Sequence, residues 1–124
     1  MSGSRALLDT NALIYFFEGR EKITQLVART PELFYASITE IELLSSPRLT
    51  AEIAAQIRAF LALCRRIELS DEVIERAIEI RRDHRLKVPD AVIAASALAM
   101  DLPLVSADTT FQRVRSLGLT SDIV

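Results

Sequence analysis

Residues 91–100, AVIAASALAM, are apolar on nearly every side and follow Pro89, a residue type that commonly opens a helix. A helix without a polar face has to be buried, and its alanines allow a sheet to pack closely against it. The segment has half the length that a membrane-spanning helix needs. The chain must therefore supply a layered core around this helix.

Short apolar runs predict the sheet of that core. Residues 6–8 are continuously apolar and are followed by a polar turn, which is typical of a parallel strand buried on both faces. Further strands are predicted at residues 33–36, 66–69 and 104–105, and residues 122–124 could add an edge strand. Helical patterns fill the intervals, at residues 12–19, 20–30, 37–44, 50–66, after Ser70 and from Pro89 onward.

This alternation predicts a three-layer α/β fold with a mainly parallel central sheet of four to five strands flanked by helices. We expect residues 1–124 to form a single domain, and part of residues 1–4 could stem from a cloning vector. Thr50 and Ser70 are expected to cap the helices that follow them. The buried stripes of those two helices are expected to be Ile53, Ile57, Phe60, Leu61 and Cys64 in the first, and Val73, Ala77 and Ile78 in the second.

Composition excludes several classes of site. The single cysteine, Cys64, excludes an internal disulfide and a thiolate metal cage and fits a reducing cytoplasm. One histidine excludes multi-histidine zinc sites. The net charge of −2 gives no global electrostatic case for nucleic-acid binding, and the start of the chain does not have the pattern of a signal peptide. We therefore expect a cytoplasmic protein without a membrane partner, whose function depends on a local site.

Four acidic residues fall where the predicted sheet would gather them. Asp9 directly follows the first strand, and Asp108 comes three residues after Val105 in the fourth. Loops that leave the carboxyl ends of parallel strands line the ligand crevice of such sheets. Glu42 lies in the helix that leaves the second strand, and Asp90 lies at the start of the buried helix. All four could converge at one edge of the sheet.

Convergence of these carboxylates requires compensation. Two carboxylates ~4 Å apart repel by roughly 4 kcal/mol at an effective dielectric constant of ~20. Either some of them are protonated at neutral pH or a cation neutralises the cluster. Because the donors are all oxygen, the cation would be Mg²⁺ or Mn²⁺ rather than zinc, and such a cluster supports phosphoryl transfer.

Each acid also has a purely local explanation. Asp9 and Asp108 could cap the helical turns that follow them, and Asp90 could compensate a helix dipole. Glu42 could form a capping box with Thr39. Ser37 and Glu40 make the same pattern, and if Ser37 is the cap, Glu42 is free for another role.

Four segments of the chain resemble, in order, the motifs of the PIN-domain ribonuclease family, and specifically of VapC-type toxins of bacterial and archaeal toxin–antitoxin pairs. The segments are LLDTNALIYFFEG, ASITEIELL, VPDAVIAASAL and LVSADTTF, and the resemblance covers essentially the whole chain. It places the functional acids at Asp9, Glu42, Asp90 and Asp108. The sequence departs from the family at Ser106, where threonine is more usual, and at Thr110, where many members carry a further acid.

The resemblance implies a PIN-like fold and a metal-dependent endoribonuclease toxin that cleaves structured RNA of the tRNA or rRNA class. Asp9, Asp90 and Asp108 would ligate Mg²⁺ or Mn²⁺, with Glu42 completing the site directly or through water. The resemblance also implies a homodimer and a cognate VapB-type antitoxin that silences the toxin. The predicted helix at residues 12–17, which has no polar face, would leave apolar surface for such partners.

Neighbouring polar residues each have a functional and a local explanation. By the resemblance, Asn11 and Ser106 would hold carboxylates or ligand waters, although both could be turn and cap residues only. A basic cluster upstream of Asp90 could steer RNA phosphates, or could be a solvated helix end. Its members are Arg81, Arg82, Arg85 and Lys87.

Other α/β classes with strand-end aspartates fit less well. A phosphoacceptor receiver domain needs an acidic pair before the first helix and a lysine after a late strand, and an aspartate-nucleophile phosphohydrolase needs Asp-x-Asp. Asp9 has no acidic neighbour and is followed by Thr10 and Asn11. A PIN-like protein that binds or regulates a partner without cleaving RNA stays open as the alternative function.

Overall fold

A five-stranded sheet forms the centre of the protein. The computed structural model describes residues 4–124, without the side chains of residues 121–123, so most of the stretch at residues 1–4 lies outside the described residues. The strand order is β3-β2-β1-β4-β5, and every neighbouring pair is parallel. The strands are β1 (Arg5–Leu8), β2 (Glu32–Ala36), β3 (Arg65–Ile67), β4 (Leu104–Ser106) and β5 (Ser121–Ile123). The predicted parallel sheet of four to five strands, with the edge strand at the end of the chain, is confirmed.

Helices cover both faces of this sheet. They are α1 (Thr10–Phe17), α2 (Glu21–Arg29), α3 (Ser37–Leu44), α4 (Ala51–Leu61), α5 (Asp71–His84) and α6 (Val88–Ala99), followed by a 3-10 segment (Thr109–Leu117). Leu7 of β1 packs into the core under α5 and α6, whereas Ala6 and Leu8 pack into the core under α1, α2 and α4. Because successive side chains of a strand point to opposite faces, this alternation gives the predicted three layers.

The helix that is apolar on all sides is buried, as its sequence predicts. Residues 91–97 of α6 are all buried, and Pro89 lies in the first turn of the helix. Ser96 is the polar member of this run, and its hydroxyl donates to the carbonyl of Val92 at 2.8 Å. The hydroxyl is thereby satisfied inside the helix, so α6 can be packed on every side without an unpaired polar group.

The cap of α4 is confirmed, but the predicted extent of this helix is wrong. The amide of Ile53 donates to the hydroxyl of Thr50 at 3.1 Å. The helix ends at Leu61 rather than at residue 66, because the amides of Leu63 and Cys64 bond three residues back and turn the chain into β3. β3 therefore covers residues 65–67 instead of 66–69. Ile53, predicted on the buried stripe, is 45% exposed in the first turn.

The cap of α5 is also confirmed, while one of its inward-facing residues was misplaced. The amide of Val73 donates to the hydroxyl of Ser70 at 3.2 Å. The buried residues of α5 are Val73, Ala77 and Ile80. Ile78, predicted to face inward, is 49% exposed, because it lies about 100° around the helix from Ala77.

Candidate acidic site at the carboxyl end of the sheet

The four acids lie on elements that leave the same edge of the sheet. Asp9 follows β1, and Asp108 follows the adjacent strand β4. Glu42 is carried by α3, which begins directly after β2, and Asp90 lies in the first turn of α6. The acids also act on one another: the pKa of Asp9 is raised by Asp90 and Asp108, and that of Asp90 by Asp108 and Glu42. The structure thus places the four carboxylates on elements at one edge of the sheet, where their charges act on one another.

Asp9 is the buried centre of this cluster. Its side chain is 2% exposed, and its two oxygens accept hydrogen bonds from the amide of Ala12 at 2.7 Å and from the hydroxyl of Ser106 at 2.5 Å. Burial is the main cause that raises the pKa of Asp9 to about 6, and the charges of Asp90 and Asp108 add to it, against the two hydrogen bonds. The local explanation also holds, since Asp9 is the N-cap of α1.

Ser106 connects the two strand-end aspartates. The residue is fully buried at the end of β4, where its hydroxyl donates to Asp9 and accepts from the amide of Asp108 at 2.8 Å. Serine in place of the more usual threonine therefore preserves the contact with a carboxylate. Asn11 lies exposed on α1, and within residues 4–124 no side-chain hydrogen bond joins it to any of the four acids.

Asp90 and Asp108 differ in electrostatic environment. Burial, followed by the charges of Asp108 and Glu42, raises the pKa of Asp90. Hydrogen bonds from Thr110 lower the pKa of Asp108, and the one from the amide of Thr110 measures 2.9 Å. Asp108 is also the N-cap of the 3-10 segment. Thr110, which occupies the position of a further acid in many family members, thus keeps Asp108 ionised.

Glu42 is held by a contact that the sequence analysis did not foresee. The hydroxyl of Thr10 donates to the carboxylate of Glu42 at 2.6 Å. Both predicted capping boxes are wrong, because α3 begins directly from β2 with Ala36 as its N-cap and without a side-chain cap. Ser37 and Thr39 therefore lie inside the first turn. The signal that could have found Thr10 is its position directly after Asp9, at the start of α1.

Two cations lie close enough to act on the cluster. The charge of Lys87, just before α6, partly offsets the rise in the pKa of Asp90. Together with Arg113 of the 3-10 segment, Lys87 also adds to the lowering of the pKa of Asp108 that Thr110 mainly causes. The guanidinium of Arg113 also donates to the carbonyl of Arg85 at 3.5 Å. The other basic residues upstream have local roles: Arg81 donates to the carbonyl of Leu86 at 3.2 Å, and Arg82 pairs with Asp83 at 3.2 Å. Lys87 belongs to the basic cluster predicted from the sequence, whereas Arg113 was not predicted to lie at the site.

The donor chemistry of the cluster fits a hard divalent cation. Its donors are oxygen atoms, and burial, followed by the charges of neighbouring acids, raises the pKa of Asp9 and of Asp90. Within residues 4–124, however, no three His, Cys, Asp or Glu side chains are arranged to hold one ion. An ion such as Mg²⁺ keeps several waters in its coordination shell, so these acids would reach it partly through water.

The fold and the cluster define an α/β protein whose candidate site is built from carboxylates at the carboxyl end of a parallel sheet. The family model of the PIN domain matches residues 6–117. The chain belongs to the PIN domain family, as its four motifs predict. A search of the curated proteins finds no match. None of the helices in the described part of the chain is long and apolar enough to cross a membrane.

Solved structures similar to this chain include toxin–antitoxin and VapBC complexes. A chain of a toxin–antitoxin complex from Klebsiella pneumoniae is 32% identical, with 86% of this chain and 89% of that chain covered and a TM-score of 0.77. VapBC-1 from nontypeable Haemophilus influenzae is 20% identical, with 96% and 97% covered and a TM-score of 0.82. DNA-bound VapBC from Salmonella typhimurium is 18% identical, with 96% and 97% covered and a TM-score of 0.82. The last two similarities concern the fold alone.

Proposed function

We propose that this PIN domain is a VapC-type toxin, a metal-dependent endoribonuclease that cleaves structured RNA of the tRNA or rRNA class. The observation that carries the proposal is the state of Asp9, a buried carboxylate whose pKa is raised to about 6 beside Asp90 and Asp108. Asp9 and Asp108 also cap helical turns, but the mutual repulsion of three acids at this edge opposes folding. A cation bound at this site would neutralise that repulsion.

Asp9, Asp90 and Asp108 would hold Mg²⁺ or Mn²⁺, with Glu42 completing the site directly or through water. A divalent cation bound there supplies an activated water and stabilises the charge of the phosphate that is attacked. The chain's own residues prepare the site for it. Ser106 fixes one oxygen of Asp9, and the backbone amide of Ala12 fixes the other.

The cations Lys87 and Arg113 support an RNA substrate. Both act on Asp108, and Lys87 also acts on Asp90, so they lie at the candidate site. An RNA phosphate that approaches the four carboxylates meets repulsion, which cations at the rim of the site would offset. The net charge of −2 makes this local arrangement the main electrostatic support for RNA binding.

The proposed partners are a cognate VapB-type antitoxin and a second copy of the chain, in the cytoplasm. Solved structures similar to this chain include ones described as a toxin–antitoxin complex and as VapBC-1. Apolar surface on α1 and α4 supports a protein partner: Ile14 and Ile53 are exposed there. The same two helices carry the half-buried aromatic rings of Phe16, Phe17 and Phe60, whose centroids are 4.6–5.7 Å apart.

The alternative is a PIN-like module that binds or regulates a partner without cleaving RNA. The observation that favours it is that, in the part of the chain that the structure describes, no three candidate ligands are arranged around one point. One similar solved structure is described as DNA-bound VapBC. A module of this kind would bind its partner through the apolar surface and would not turn over RNA.

The decisive experiment incubates the purified chain with folded tRNA and ribosomal RNA in the presence of Mn²⁺ or Mg²⁺. Asp90→Asn is the test variant and Asp101→Asn is its matched control. The two aspartates lie at opposite ends of α6, and Asp101 has a φ of 53°, a conformation that asparagine tolerates. We expect discrete cleavage by the wild type and the control, and none by Asp90→Asn or with a chelator. Metal binding by a folded wild type that cleaves neither RNA would favour the alternative.

A further inference from the structure

We propose that Thr10 and Thr39 form a two-hydroxyl device that positions Glu42 at the metal and RNA site. The inference rests on the proposed function and assigns it two positioning residues, neither of which touches the reacting atoms. The hydroxyl oxygens of Thr10 and Thr39 are 3.0 Å apart, and that of Thr10 is 2.6 Å from an oxygen of Glu42. Three side chains on two helices are thus joined in one chain of hydrogen bonds.

The direction of these hydrogen bonds follows from the number of protons. A carboxylate can only accept, so the single proton of the Thr10 hydroxyl is donated to Glu42. The hydroxyl of Thr39 lies 3.0 Å from that of Thr10 and can donate to it, which leaves the proton of Thr10 for Glu42. In the competing arrangement Thr10 donates to Thr39, and Glu42 then receives no hydrogen bond from either hydroxyl. Such chains of donors also strengthen each member.

The orientation of Thr39 differs from that of other hydroxyls in the helices of this protein. The hydroxyls of Thr24, Thr30 and Ser96 each donate to the carbonyl four residues back. Thr39 lies in the first turn of α3, where the carbonyl four residues back belongs to β2 instead of the helix. Its fully buried hydroxyl is directed across to α1 instead. A polar group buried in the core thus serves a contact between two helices that carry site residues.

Glu42 needs these two hydroxyls because the neighbouring carboxylates repel its side chain. It is an exposed glutamate whose charge acts on Asp90, and like charges would turn a flexible side chain out to solvent. Thr10 directly follows Asp9, so the hydrogen bond to Thr10 keeps Glu42 beside the buried centre of the cluster. Thr39 comes three residues before Glu42 on the same helix and fixes the hydroxyl that makes this contact.

The test compares Thr10→Val and Thr39→Val with the hydroxyl-keeping variants Thr10→Ser and Thr39→Ser, in the full chain. Two quantities are measured: kcat and KM for cleavage of the RNA, and the affinity for Mn²⁺ alone. We expect both valine variants to lose about 10- to 100-fold in kcat or Mn²⁺ affinity, as loss of a contact that orients a ligand commonly does, with KM for RNA unchanged. Both serine variants should retain most of the wild-type value.

Two controls separate positioning from stability. Thr30→Val removes a buried hydroxyl that bonds only within its own helix region, and it should leave kcat and Mn²⁺ affinity unchanged. In a Glu42→Gln background, Thr39→Val should cause no further loss, because the residue it positions is already altered. Unfolding midpoints of all variants show which losses come from unfolding.

The inference is overturned if Thr10→Val and Thr39→Val match the wild type while the wild type cleaves RNA, or if the loss persists in the Glu42→Gln background. Equal losses in valine and serine variants would overturn it as well. The proposed function fails separately, when a folded wild type neither cleaves RNA nor binds Mn²⁺, and the inference then fails with it. A wild type that binds Mn²⁺ without cleaving leaves the inference to be decided by the Mn²⁺ affinities.

Discussion

The burial of Asp9 predicts a pH-dependent loss of stability that the substitution Asp9→Asn removes. Asparagine keeps an oxygen that can accept from the amide of Ala12, and the hydroxyl of Ser106 can rotate to accept from the new amide group. The substitution therefore removes the charge with little change in shape. Because Asp9 is buried, solvent screening does not reduce the effect appreciably.

The sign and the size of the pH effect on stability follow from the pKa of Asp9, which folding raises from 3.8 to about 6. The folded protein binds this proton more tightly than the unfolded chain does. Stability contributed by protonated Asp9 is therefore complete below pH 3.8 and is lost as the pH rises through about 6. At ~1.4 kcal/mol per pKa unit, the loss amounts to about 3 kcal/mol.

The assay is urea unfolding of the wild type and Asp9→Asn at a series of pH values, without divalent metal. As the pH rises from 3.5 to 7.5, we expect the free energy of unfolding of Asp9→Asn to increase by about 3 kcal/mol relative to that of the wild type. Asp101→Asn, which removes a carboxylate from an exposed position, is the matched control. If the difference between Asp9→Asn and the wild type stayed flat across that range, the assigned environment of Asp9 would be refuted.

Three further predictions follow, two for the acidic site and one for the cap of α5. Saturation with Mn²⁺ at about 100 times its Kd should raise the free energy of unfolding of the wild type by about 3 kcal/mol at pH 7.5, and calorimetry should show no such gain for Asp90→Asn. Ser106→Ala should lower the free energy of unfolding by about 1–3 kcal/mol and raise the pKa of Asp9 further, visible by NMR titration, because a buried carboxylate oxygen loses its donor. Ser70→Ala should lower the melting temperature through a cap loss of about 1 kcal/mol while RNA cleavage stays unchanged, since Ser70 caps α5 away from the acids.

The placement of the acids at one edge of the sheet could be predicted, because in a parallel sheet the position of a residue in the sequence determines the edge at which it lies. Asp9 and Asp108 end neighbouring parallel strands, so their convergence needed only the alternation of strands and helices. The buried α6 was equally predictable, since a helix without a polar face has no other stable place. Asp90 then reaches the same edge because α6 begins there.

Contacts that depend on how two elements lie against each other could not be predicted from the sequence. The contact of Thr10 with Glu42 requires α1 and α3 to lie side by side, which follows from the pairing of β1 with β2. A strand at residues 33–36 and a helix at 37–44 were predicted side by side, but the two overlapping capping patterns could not show that the helix has no side-chain cap. Similarly, the choice between Ile78 and Ile80 as the inward residue depends on how α5 is rotated against α6.

The most direct test of the central claim is inducible expression of the chain in a bacterial host, followed by sequencing of RNA 5′ ends. The wild type, Asp90→Asn and Asp101→Asn are compared at matched protein levels. A metal-dependent endoribonuclease predicts discrete new ends at a tRNA or ribosomal RNA site in the wild type and in Asp101→Asn, and none in Asp90→Asn. The same new ends in Asp90→Asn, or no new ends from soluble, folded wild-type protein, would contradict the account.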